Sequence, residues 1–76
     1  MNQKRRNLLR SASNLLDQAE AIVQRAADQE SDSMDNMPES LQGSDQYDKM
    51  EQALDNLGQA LEYIGNARDC LESASE

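Results

Sequence analysis

Residues 47–74 read YDKMEQALDNLGQALEYIGNARDCLESA, and the reading of this stretch decides the fold. Ala53, Ala60, Ala67 and Ala74 recur every seven residues, and so do Met50, Leu57, Ile64 and Leu71. Merged, the two rows step by three and four residues, which is one face of an α-helix and not the alternation of a strand. Leu54 and Leu61 widen the face on the side away from the alanines, and Arg68 falls where their row continues. An arginine there can lay its alkyl stem on the edge of a core and send its charge to a carboxylate. The spacing predicts a helix from about residue 45 to 74.

The upstream half carries a matching pattern. Leu8, Leu15 and Ile22 form one row, Leu9, Leu16 and Val23 a second, and Ala12, Ala19 and Ala26 lie between them. No glycine or proline interrupts residues 1–37, and Met34 follows Val23 by eleven residues. Helix one is therefore expected over about residues 8–34, with residues 1–7 as a frayed end or a first turn. Residues 35–45 (DNMPESLQGSD) are the connector. Pro38 disfavours helix at Met37, Gly43 ends a short turn, and Ser44 or Asp45 caps helix two. Leu41 is expected to fold over the end of the helix pair.

Two long helices on a short connector fold back on one another. The fold class is all-α: one helical-hairpin domain spanning residues 1–76. Each apolar sector is wider than one partner helix covers, so a lone hairpin would leave an aliphatic ridge of each helix in water. Dimerisation of two hairpins into a four-helix bundle removes that exposure. The residues expected to carry self-association are Leu9, Leu16, Val23, Leu54 and Leu61, with Gly58 and Gly65. A glycine within a helix costs about 1 kcal/mol relative to alanine, so two in register mark either close approach of another backbone or simple tolerance at an edge.

Composition narrows function mainly by exclusion. There is no His, Trp or Phe and a single Cys. Without His the chain lacks the commonest general base and metal ligand, so no enzyme and no cofactor are expected. One thiol cannot form an internal disulfide, and no leader pattern is apparent, which points to a reducing compartment. Residues 28–39 place oxygen ligands much as a calcium loop does, but Ser33 stands where the turn needs glycine, and Pro38 precedes the last acid. No run of residues is apolar enough for a membrane span.

The formal net charge is -8, unevenly spread. Lys4, Arg5, Arg6 and Arg10 occupy the first ten residues, whereas the remainder holds three basic and fifteen acidic residues. Nucleic acid is therefore disfavoured as a partner except through residues 4–10, and a protein with a basic surface is favoured. Asp48, Asp55, Glu62, Asp69 and Glu76 fall on one line of helix two at seven-residue intervals. That line is either a solvated face or a surface presented to a basic partner. Tyr63, on the outward side, is a second candidate contact. Cys70 has acidic neighbours and no base beside it, so it reads as an ordinary thiol.

Asn36-Met37-Pro38-Glu39-Ser40-Leu41-Gln42, Ser44, Met50-Glu51, Leu54-Asp55-Asn56-Leu57 and the opening Asn2-Gln3-Lys4-Arg5-Arg6 together make up about a quarter of the chain. In these segments it resembles small acidic helical proteins of Gram-positive phages and mobile elements. The resemblance implies a helical hairpin in the cytoplasm of a bacterial host cell. It carries over no catalytic or binding residues. With size, acidity and the missing catalytic side chains, it leads to the expectation of a non-enzymatic inhibitor of a host defence or nucleic-acid-binding protein, anti-CRISPR-like in character. The alternative is a structural or assembly protein built as a self-associating bundle.

Overall fold

Both helices begin where a side chain can satisfy their first free amides. Asn2 caps α1 (Gln3–Asp35), its side-chain oxygen accepting from the Arg5 amide at 2.8 Å. Ser44 caps α2 (Asp45–Ser75), with its hydroxyl accepting from the Tyr47 amide at 3.3 Å. Asp45 and Asp48 in the first turn of α2 suit the positive end of its dipole. The computed structural model describes all of residues 1–76.

α1 starts five residues earlier than the apolar pattern predicts. Its first turn holds no acid and several cations, an arrangement the helix dipole opposes. The Asn2 cap counters this locally. At long range, Arg6 Nε donates to the Ser75 carbonyl oxygen at 3.0 Å, tying the start of α1 to the end of α2. Periodicity sees only apolar residues, and neither contact involves one. At its other end α1 runs to Asp35, so the oxygen-rich segment from residue 28 is mostly helix and cannot wrap an ion as a calcium loop does.

The connector is short and hydrogen-bonded. Glu39–Leu41 make a single 3-10 turn, in which the Leu41 amide donates to the Pro38 carbonyl at 2.9 Å. Gly43 has φ of 91°, the left-handed region where a Cβ is strained, and from there the chain enters the Ser44 cap. Leu41 does not fold over the helix ends; it stays 46 % exposed, on the outside of the turn.

α1 and α2 pack antiparallel along their lengths, and the protein is all-α. Half-buried positions trace the seam: Leu9, Ala12, Leu16, Ala19, Val23, Ala27 and Met34 on α1, and Met50, Ala53, Leu54, Leu57, Ala60, Leu61, Ile64 and Leu71 on α2. No residue is fully buried. The molecule is a rod of 59 × 14 × 12 Å with a radius of gyration of 17.3 Å. A compact chain of this length has a radius near 11 Å. Two helices side by side have a line of contact instead of an enclosed core.

Candidate interaction surfaces

The antiparallel arrangement sorts the side chains beside the seam into two faces. Going round each helix by about 100° per residue, rows on the same angular side of the seam end up on the same side of the hairpin when the helices run in opposite directions. One face thus gathers Arg6, Arg10, Ser13 and Asp17 from α1 with Arg68, Glu72 and Ser75 from α2. These residues line one open cleft of about 380 Å3 that has no hydrophobic wall. The other face gathers Leu8, Leu15, Ile22 and Ala26 from α1 with Ala67 and Tyr63 from α2, beside the half-buried seam residues Ala12, Ala19, Ala53 and Ala60.

Arg68 is the electrostatic centre of the polar face. Its Nη1 donates to Asp17 Oδ1 at 2.9 Å and lies 3.1 Å from Glu20 Oε2. The hydrogen bond to Asp17, then that to Glu20, raises the guanidinium above its already high pKa, so it is charged at any ordinary pH. The side chain is 29 % exposed, with its stem at the seam and its head outward, as its place in the Leu54–Leu61 row predicts. Around it the cleft holds cations and carboxylates together, so it offers no single-sign site to an ionic ligand. No group of three or more His, Cys, Asp or Glu side chains is placed to hold a metal ion.

The acidic line Asp48, Asp55, Glu62, Asp69 and Glu76 is exposed throughout, and none of its members is in an ion pair. Tyr63 is 62 % exposed but does not share that line. It follows Glu62 by one residue and so lies about 100° further round the helix, at the rim of the apolar face. Cys70 is free and exposed. Lys4, Arg5 and Arg10 are exposed and unpaired, and Arg6 is half-buried against the end of α2.

The structure places Leu9, Leu16, Val23, Leu54 and Leu61 in the intramolecular seam. At Gly58 and Gly65 an added Cβ would meet nothing within 4 Å, so no backbone of the hairpin approaches them. The aliphatic ridge left in water is Leu8, Leu15 and Ile22, at 63–64 % exposure. α2 leaves none, contrary to the expectation of one ridge from each helix, because Leu54 and Leu61 turn into the seam. Met34 and Ala27 were the available signal. They sit on the Leu9–Leu16–Val23 side of α1, away from Leu8, and so fix which row faces the partner helix.

A family model described as ribosome biogenesis protein C1orf109-like matches residues 1–76, the whole chain. The chain belongs to the C1orf109-like family. No curated protein and no solved structure matches it significantly. Membership corrects the origin inferred from local likeness: the C1orf109-like family is of eukaryotic type, not one of phages or mobile elements. The anti-CRISPR-like inhibitor and the alternative of a phage structural or assembly protein both fall with that origin, as does the cytoplasm of a bacterial host. The misleading likeness lay in short segments of the opening, the connector and α2, and those in α2, such as Leu54-Asp55-Asn56-Leu57, arise in many acidic amphipathic helices from composition alone. The C1orf109-like match runs through both helices and the connector.

Proposed function

We propose that this chain is a non-enzymatic, protein-binding hairpin that acts in ribosome biogenesis in the nucleus or nucleolus. The match of a ribosome biogenesis family over residues 1–76 carries the reading. Electrostatics indicates which component of a ribosome precursor it meets. Ribosomal RNA is a dense polyanion, and a chain of net charge -8 is repelled from it beyond the first turns of α1. Ribosomal proteins and their assembly factors are often strongly basic, and such a surface is attracted to the unpaired line Asp48, Asp55, Glu62 and Asp69. Those carboxylates project from a rigid helix at intervals of about 10 Å, so their positions are fixed before binding. Tyr63 lies too far round α2 to join the same contact.

The test is purification of the tagged chain from nuclear extract after ribonuclease treatment. Recovery of pre-ribosomal proteins despite loss of RNA is expected. The variant with Asp48, Asp55 and Glu62 all changed to Lys should lose them while circular dichroism shows unchanged helicity. Absence of pre-ribosomal components, or recovery abolished by ribonuclease, contradicts the reading.

A further inference from the structure

The side of α1 turned away from the seam differs in chemistry from the rest of the rod. Gln3, Asn7, Arg10 and Asn14 step by four, three and four residues, so they share one row, and all four are exposed. The row continues through Gln18, Ala21 and Arg25 and meets its first acid at Asp28. Lys4 and Ser11 flank it and are exposed as well. Arg5 is exposed because α2 ends beside it, where Arg6, one residue on, holds the Ser75 carbonyl. Lys4, Arg5 and Arg10 have no ion-pair partner. The first acid of α1 is Asp17, and Arg68 takes it. Glu72 of α2 lies in the cleft that Arg10 also lines, on the inner side of the row.

We propose that this basic end of α1 holds the sugar–phosphate backbone of an RNA strand. The cations are not there for the helix. Lys4, Arg5 and Arg6 stand in the first turn with no acid among them, where the dipole opposes positive charge, and only Arg6 is used within the hairpin. Cations that oppose their own helix and pair with nothing in the chain are suited to an anion from outside. Between them stand Gln3, Asn7, Ser11 and Asn14, whose amides and hydroxyl are of the kind that hydrogen-bond phosphate and sugar oxygens. The row from Gln3 to Asn14 contains no aliphatic or aromatic side chain, so it lacks the apolar anchor on which a protein partner's affinity depends. The acidity of the chain does not cancel this local charge. Asp48 and Asp55 precede Ser75 by 27 and 20 residues, and so lie about 40 and 30 Å from the end that Arg6 ties down. At 0.1 M salt charges are screened over about 10 Å. Contact through phosphate positions a strand without reading its bases. That the polyanion is RNA rests on the ribosome-biogenesis reading; the affinity of this end for a polyanion does not.

The test is fluorescence anisotropy of a labelled oligouridylate titrated with the purified chain, from about 20 to 200 mM salt. Three phosphate contacts, from Lys4, Arg5 and Arg10, give a slope of log affinity against log salt of about -2, a loss of about a hundredfold over this range. Changing the three together to Gln should abolish binding and leave the helicity intact, since all three charges are dispensable to the hairpin. Should that variant lose helicity, Arg10→Gln alone, expected to flatten the slope by about 0.7, decides. Glu72→Gln should tighten binding severalfold, whereas Asp48→Asn, at the far end of the rod, should leave it unchanged. No binding at the lowest salt overturns the proposal, as does binding that survives the triple change. Displacement of the labelled strand by polyglutamate as effectively as by unlabelled RNA also overturns it, in favour of an acidic protein. The purified components make the result independent of whether the chain is recovered with pre-ribosomal proteins.

Discussion

Gly58 and Gly65 allow the packing of α2 to be tested by addition instead of removal. Both lie well inside the helix, and a Cβ built on either meets no atom within 4 Å. Changing each to Ala therefore introduces no clash within the hairpin. It restricts the unfolded backbone and improves helix propensity, by about 1 kcal/mol per site. The sites are seven residues apart and share no contact, so the gains should add to about 2 kcal/mol. For a chain of this length the entropy of unfolding is about 160 cal/mol/K, which converts each substitution into about 6 °C and the pair into about 12 °C. Thermal unfolding of the single and double variants by far-UV circular dichroism, at one fixed chain concentration, gives these shifts. An unchanged or lowered melting temperature in the double variant would refute the reasoning. It would mean that the backbone of another chain approaches these glycines in the folded assembly, on the face beside Leu54 and Leu61.

Other substitutions probe the remaining elements. Ser44→Ala removes the side-chain acceptor for the Tyr47 amide and should cost about 1 kcal/mol, read as a lower denaturant midpoint with unchanged slope. Leu57→Ala at the half-buried seam should cost about 2 kcal/mol, at the low end for leucine truncation because the site already touches water and no closed cavity forms. Arg68→Met keeps the stem on the seam and removes the pairs with Asp17 and Glu20. Its melting temperature should fall modestly at low salt and converge with that of the unaltered chain at high salt, since screening removes the same interaction.

Much of this architecture is written in the sequence at the level of periodicity. Seven-residue rows gave both helices and their antiparallel packing, and Pro38, Gly43 and Ser44 marked the connector. The start of α1 was not legible, because Asn2 and Arg6 act through hydrogen bonds that leave no apolar repeat. Nor was the facing of α1 decided by its two equivalent leucine rows. Only Met34 and Ala27, toward the connector, break that tie, and in the sequence Met34 reads as extending the helix, not as orienting it. The acidic line was plain, and the outward exposure of Tyr63 was legible too, on a separate row because one residue along a helix is about 100° of rotation. Origin was misread for a similar reason: short acidic amphipathic segments recur in unrelated proteins, and kinship emerges only from the whole length of the chain.

The central claim is that this hairpin serves ribosome biogenesis, and pulse-labelling of ribosomal RNA in cells depleted of the protein tests it most directly. The account predicts that precursor RNA accumulates and mature RNA falls, and that the unaltered chain restores processing while the triple Asp48, Asp55 and Glu62 to Lys variant does not. Normal precursor and mature RNA kinetics after depletion would contradict it.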